Sequence, residues 1–273
     1  MLVEQLVAGV ERHPHHDMRG VELTRDEASR RSRSILGSLA RDDLGYPDPA
    51  ERRHTLRPRN EPTAVAGCGR IGRVTSAERL DWPQYYAAQV GRPVRDLVIR
   101  GAGAVERPGH AVDLGCGDGT ETAWLLEHGW WVTAVDGTPE ALGLVTQKAE
   151  GHRERVEVVL ADLADYDVPP AELVVACASL PFVPPSRFDQ VWQRVRSAMR
   201  GGGVLAVNLF GERDTWAQPD TLVPGLTFHT RDQVEELVRG LTVVEISEHE
   251  YDRPSGGGPK HWHRFDVIAR AGD

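Results

Sequence analysis

Two acids and three glycines between residues 110 and 138, which read HAVDLGCGDGTETAWLLEHGWWVTAVDGT, are spaced for ligand chemistry. Asp113 closes a short apolar run, Ala111-Val112. Gly115, Gly117 and Gly119 follow at alternate positions, and Asp136 closes a second apolar run that begins at Trp131. An acid at the end of the second strand of such a unit is placed to accept hydrogen bonds from ribose hydroxyls. Glycines carry no Cβ, so the backbone between the acids can turn tightly and come close to a ligand. A helical segment over 120–128, stopped by Gly129, completes the order strand, glycine turn, helix, strand, acid. That is half of a nucleotide-binding βαβ unit.

Two ligand classes use this geometry. A dinucleotide pattern, G-x-G-x-x-G, seats a pyrophosphate on the helix N-terminus. Here the pattern is D-x-G-x-G-x-G, with no glycine at position 120, where the dinucleotide pattern wants one. A carboxylate at Asp113 repels a pyrophosphate but suits a cationic amino-acid group. That favours S-adenosylmethionine, which carries an ammonium, a sulfonium and a ribose but no phosphate. At this point the stretch DLGCGDGT resembles the first motif of the class I S-adenosylmethionine-dependent methyltransferases, and Asp136 resembles the acid that follows it.

The resemblance runs through residues 75–272 and is strongest over 113–210. It implies an α/β fold: a Rossmann-like seven-stranded sheet with helices on both faces and a C-terminal antiparallel hairpin. It implies S-adenosyl-L-methionine as cofactor, with Asp113 and the glycine backbone (Gly115, Cys116, Gly117) on the methionine part. Asp136 and Gly137 would serve the ribose and Asp162-Leu163 the adenine. Cys177, at the tip of the fourth strand, would face the sulfonium side; methyl transfer needs no nucleophilic thiol, so a small core residue at a strand end is preferred to a nucleophile there. The reaction implied is methyl transfer to a small-molecule acceptor. No residue stands out as a catalytic base; His229, His261 and His263 are available if an oxygen or nitrogen acceptor needs one. A non-catalytic module that binds the cofactor or a partner, or an NAD-dependent oxidoreductase, are the rival readings.

The elements that must position these residues follow from periodicity. Strands are expected at 156–161 (buried and parallel), 173–176, 204–209, 241–246 and 262–269. Thr138 with Pro139 starts a helix carrying Leu142, Val145 and Ala149 on its buried stripe. A helix from Ser186 buries Phe188, Val191, Trp192, Val195 and Met199. Thr230-x-x-Gln233 is a capping box for a helix ending at Gly240. Pro181 and Phe182 shape an apolar wall beyond the fourth strand. Asn208 is a candidate to line the site, and the loop 211–227, with Trp216, a candidate to contact the acceptor. An aromatic helical region from 76 to 99 offers Tyr85 and Tyr86 either as a cover over the cofactor or as ordinary packing. Arg92 and Arg95 could reach a carboxylate, with a surface role preferred.

Residues 1–74 are expected to form an N-terminal extension, partly helical or loosely ordered, outside a domain at 75–273. The native start is also readable near Val74. A helix over 2–10, a solvated turn at His13, His15 and His16, a capped helix from Thr24 with a basic face, and a Pro/Arg/Gly-rich linker over 45–72 make up that extension. The chain has 273 residues and a net charge of −9. Residues 1–80 carry about +2 and the remainder about −11. This balance speaks against nucleic-acid partners, which need a basic surface. Three cysteines without a C-x-x-C pair give neither a disulfide framework nor a zinc site. No metal site is expected, since His261 and His263 lack an evident third ligand. No apolar run spans a membrane and no secretory signal opens the chain, so the cytoplasm is the expected location. The oligomeric state is left open.

Overall fold

The computed structural model describes residues 81–218, 221, 223–253 and 259–272. The expectations for residues 1–80 lie outside the described residues.

The first described helices, α1 (Trp82–Ala88) and α2 (Asp96–Gly103), precede β1 (His110–Leu114). Then come α3 (Thr120–Glu127), β2 (Trp131–Asp136), α4 (Pro139–Lys148), β3 (Val156–Leu160) and β4 (Ala171–Ala176). A short 3-10 turn (Leu180–Phe182) leads to α5 (Pro185–Ala198) and the long β5 (Met199–Gly211). The chain ends through β6 (Phe228–His229), α6 (Arg231–Leu237), β7 (Thr242–Asp252) and β8 (His261–Arg270). The aromatic region expected as one helix is two. Gly91 in the left-handed region and Pro93 interrupt it between α1 and α2.

The strands form one sheet in the order β3-β2-β1-β4-β5-β8-β7. β1 to β5 run parallel, and β8 inserts antiparallel between β5 and β7. An eighth strand joins the seven expected: β6 pairs parallel with the end of β5 through Phe210–Phe228 and Gly211–His229. Two residues are too short a run to announce a strand by periodicity.

Helices cover both faces. Strand residues such as Val112, Leu114, Val174, Leu205 and Val267 pack with Phe188, Val191, Trp192 and Val195 of α5 and Val234 of α6. The alternate residues, Ala111, Leu173, Val175, Ala206 and Ile268, pack with Leu97 and Val98 of α2 and Leu125 and Leu126 of α3. Val145 of α4 joins that second face against Cys116 and Ala134. The period-2 split of each central strand into two buried faces explains why these runs read as continuously apolar.

The local signals act as expected at two helix starts. Thr138 Oγ1 accepts from Ala141 N at 3.4 Å, with Pro139 at the first helical position. Thr230 and Gln233 close a reciprocal box at 3.2 and 2.9 Å. β3 departs from expectation. Its composition predicts a buried strand, but it lies at the sheet edge with Val158 and Leu160 exposed. With a strand on one side only, its apolar composition is not matched by cover.

Candidate functional site

The parallel strands β1 to β4 bring their carboxyl ends to one rim of the sheet, and the acids stand there. In register, Asp113 lies beside Ala134 of β2 and Val175 of β4, while Asp136 lies beside Leu160 of β3. Ligands of open α/β sheets bind beyond such ends.

Between the acids the chain makes a turn that only glycine sustains. Gly115, Gly117 and Gly119 have φ of 73°, 52° and 76°. Gly115 and Cys116 both donate their N–H to Val135 O, at 2.8 and 3.0 Å, which folds the turn back onto β2. A Cβ on Gly115 would run into the Ser179 side chain, and one on Gly119 would stand 2.9 Å from Val145 Cγ2. Gly117 points its N–H at Asp136 Oδ2, 3.0 Å away. The Asp136 carboxylate also accepts from Thr138 N and Thr138 Oγ1, each at 3.0 Å, and from the Tyr86 hydroxyl at 3.3 Å.

Asp113 is buried and accepts from Thr122 Oγ1 at 2.7 Å. Burial pushes its carboxyl up to about 7, and the Glu121 charge adds to the rise; Thr122, Arg95 and Arg92 pull the other way. A buried acid poised near neutrality gains from an incoming cation. Gly137 is exposed just beyond Asp136. On the next strand end, Asp162 is exposed and accepts from Ala164 N at 2.8 Å, while Leu163 is half-buried against the core. Asp113, Gly115, Cys116, Gly117, Asp136, Gly137, Asp162 and Leu163 therefore share one rim. Cys177 follows β4 on the same rim and is buried. Burial pushes the thiols of Cys116 and Cys177 well above their ordinary range, so neither is a thiolate at neutral pH. The residue after Cys177, Ala178, has φ of 56°, a strained conformation at the tip of β4.

Arg92 is not on the surface. Its guanidinium pairs with Asp118 at 2.6 Å and donates to both oxygens of Glu121, one of them at 2.6 Å. Arg95 adds an ion pair to Glu121 at 3.2 Å, and Lys148 of α4 reaches Asp118 at 2.7 Å. Glu121 and Asp118 are buried, and both carboxyls are held below their usual range against their own burial by these cations. The cluster ties residues 92–95 to the start of α3. A single acid in the first turn of a helix looks like a dipole complement, so nothing in the pattern marks Glu121 as buried. Tyr86 is buried over the glycine turn, its ring 3.3 Å from where a Gly117 Cβ would be. Of the two tyrosines, Tyr86 therefore covers the site.

Asn208 does not line this rim. Its side-chain amide donates to Asp266 of β8 at 2.5 Å. His229 is buried with its ring 4.6 Å from that of Phe188 on α5, and burial lowers its pKa to about 4. His261 accepts or donates to Asp252 and Glu250 at 2.8 and 3.2 Å. His263 is grouped instead with Glu248 and Glu250, their ligand atoms within 4.8 Å of one another. The Arg213 guanidinium stands among these three groups, bonding each of them. Further along, Lys260 and Asp214 form a buried ion pair with no counterpart among the sequence expectations. Burial lowers the Lys260 ammonium to about 8, against the opposing pull of Asp214.

Among the described residues no helix is long and apolar enough to cross a membrane. Residues 111–203 match the model of a family described as a methyltransferase domain. Trans-aconitate 2-methyltransferase of Delftia acidovorans is 33% identical over 140 residues, which are 48% of this chain and 49% of that protein. Carboxy-S-adenosyl-L-methionine synthase of a Psychrobacter species is 33% identical over 123 residues, covering 39% of this chain and 43% of that one. The chain thus spans about half the length of the curated relatives it matches. In fold it is similar to the crystal structure of TehB from Haemophilus influenzae, with a TM-score of 0.58 and 16% identity over 70% of this chain and 67% of that one. It is also similar to that of the [4+2]-cyclase SpnF, with a TM-score of 0.52 and 16% identity over 65% and 80%.

Proposed function

We propose that this chain is a class I S-adenosylmethionine-dependent methyltransferase whose glycine-turn rim binds that cofactor and directs the methyl group to a small-molecule acceptor; the match of residues 111–203 to a methyltransferase domain supports this. One observation carries this reading: Asp113 and Asp136 end adjacent parallel strands on either side of a turn with three left-handed glycines. The residues fit the cofactor. The three left-handed glycines leave bare backbone at the rim, packed too closely on Ser179, Tyr86 and Val145 for a side chain, and Asp113 is a buried acid without a full countercharge of its own.

In this reading Asp113 and the backbone of Gly115, Cys116 and Gly117 hold the amino-acid part. Asp136, flanked by Gly137, takes the ribose hydroxyls in exchange for part of its present set of donors. Asp162 and Leu163 bracket the base, Asp162 through its exposed carboxylate and Leu163 through its apolar side chain. Cys177 and the strained Ala178 form the floor at the methyl end. When bound, S-adenosylmethionine supplies an electrophilic methyl carbon: the acceptor's lone pair forms the new bond as the carbon–sulfur pair returns to sulfur. The chain contributes alignment of the two partners and exclusion of water, with α1 as the cover. Residues 75–273 would form the catalytic domain and 1–74 its extension.

Calorimetric titration with S-adenosylmethionine and, separately, NAD tests this on the parent chain and on Asp136→Ala. The expected result is S-adenosylmethionine binding that the substitution weakens at least tenfold. NAD binding, or cofactor binding indifferent to Asp136, would overturn the reading.

A further inference from the structure

The same rim carries a continuous train of aromatic rings on its β4–β5 side. Trp82 of α1 meets Phe182, in the turn after β4, edge to face at 5.1 Å. Phe182 meets Phe210, at the end of β5, at 6.2 Å. Phe210 in turn meets Trp216 of the following loop and Trp262 of β8, each at 6.2 Å, and those two indoles lie 5.4 Å apart. Trp82 also stacks on Tyr86, the residue bonded to Asp136, at 6.2 Å. The rings therefore begin where the ribose acid stands and run beyond β4 and β5. Phe210 is buried, whereas Phe182 and Trp216 are half-buried, so this part of the wall keeps some ring surface for a partner.

Charge decides what that partner is. Four cations of the site and of the strands beside the wall are committed to carboxylates of the chain itself: Arg92 to Asp118 and Glu121, Arg95 to Glu121, Arg213 to Glu248 and Glu250, and Lys260 to Asp214. The Lys260 ammonium stands 3.6 Å from the Trp262 ring centre and 4.2 Å from that of Trp216. An ammonium on one face of an indole is held by the ring's π density and draws that density towards itself. Trp262 already stacks on Tyr251 at 6.4 Å, so the polarised indole left to stack on an incoming electron-rich ring is that of Trp216. A polycarboxylate would find no uncommitted cation among these four.

Building on the cofactor reading above, we propose that the acceptor is a planar, electron-rich aromatic molecule, such as a phenol or hydroxylated heteroarene. It would stack on Phe182 and Trp216, with Trp82 and Trp262 behind them. Its ring heteroatom substituent takes the methyl carbon, the carbon–sulfur electron pair stays on the sulfur of S-adenosylhomocysteine, and the hydroxyl proton leaves to solvent.

The test uses the full chain saturated with S-adenosylhomocysteine and titrated calorimetrically with 2-naphthol and, in parallel, with trans-aconitate. Two variants, Trp216→Leu and Phe182→Leu, are titrated in the same way, so that a fold defect in one leaves the other. The expected result is saturable 2-naphthol binding that weakens at least fivefold in a variant whose S-adenosylhomocysteine affinity stays within twofold of the parent. Trans-aconitate should give no saturable heat. Tighter binding of trans-aconitate, or naphthol binding indifferent to both substitutions, would overturn the assignment. If S-adenosylhomocysteine binds and 2-naphthol does not, the acceptor class alone falls. If S-adenosylhomocysteine does not bind, the cofactor reading falls and takes the acceptor with it.

Discussion

The Tyr86 hydroxyl donates to Asp136 Oδ1 across 3.3 Å, although the two residues lie fifty positions apart. Thr138 Oγ1, which donates to the same carboxylate, lies 3.3 Å from that hydroxyl. The α1 cover is thereby fastened to the acid proposed to receive ribose hydroxyls, and the phenol and the ribose compete for one carboxylate. A net hydrogen bond is worth about 1 kcal/mol, or roughly fivefold in affinity. Tyr86→Phe is expected to tighten S-adenosylhomocysteine binding by about that factor in calorimetry. Weaker binding would mean that the phenol contacts the ligand directly.

Asp113 sets a pH dependence. Its carboxyl titrates at about 7 in the folded chain, above its ordinary value of 3.8. The folded state thus holds a proton that the unfolded state gives up, so this group's contribution to stability is fully present below pH 3.8. It is lost as the pH rises towards 7. A cation bound beside Asp113 draws the proton off. S-adenosylmethionine affinity should therefore rise between pH 5.5 and 7, by up to about tenfold per unit, and Asp113→Asn should flatten the profile. A flat profile in the parent chain would separate Asp113 from the cofactor.

The sign is opposite at His229. Its folded pKa is lowered to about 4 from 6.5 because burial disfavours the imidazolium. Stability from this group is present above pH 6.5 and is lost as the pH falls towards 4, by about 3 kcal/mol at most. His229→Phe, beside Phe188, should resist acid unfolding better than the parent across pH 6.5 to 4. Urea midpoints compared at pH 7 and pH 5 measure this difference directly.

Lys260 and Asp214 should behave as a unit. Each side chain is at most 1% exposed, and removing one partner of a buried pair leaves the other uncompensated at a cost of about 3–5 kcal/mol. Lys260→Met alone should lower the melting temperature by many degrees. The double variant Lys260→Met with Asp214→Asn should recover part of that loss. The amide oxygen that the second substitution introduces can accept from Trp216 N, as Asp214 Oδ1 does at 2.8 Å, but the bond from His263 N to Oδ2 at 3.2 Å is given up. Additive losses would show that the two groups are not coupled.

The sheet, the capped helices and the glycine turn were legible because each rests on local chemistry. Short continuous apolar runs give the strands, Thr138-Pro139 and the Thr230–Gln233 box give helix starts, and the acids at 113 and 136 follow from spacing alone. Tyr86 was visible as a candidate because aromatic residues crowd α1. What escaped was long-range pairing. Nothing near Arg92 in sequence announces Glu121, and Lys260 gives no sign of Asp214, 46 residues away. The two-residue β6 exists only because Phe228 and His229 meet the end of β5. Asn208 looked like a site residue by position, but its partner Asp266 is supplied by a strand that the topology brings back from the C-terminal end.

The insertion of β8 between β5 and β7 bears on how the chain is synthesised. Residues 110–211 contain both acids, the glycine turn and every parallel strand from β1 to β5. One side of β5 nevertheless pairs with β8, from Val204–Arg270 through Phe210–Arg264. While residues 261–270 are still inside the ribosome, that side of β5 offers a row of unpaired amides and carbonyls flanked by apolar side chains. Such an edge recruits other strands. A chain halted before His261 would hold every residue proposed for the cofactor and still be prone to aggregate, so β8, made after all of them, shields the edge beside the site.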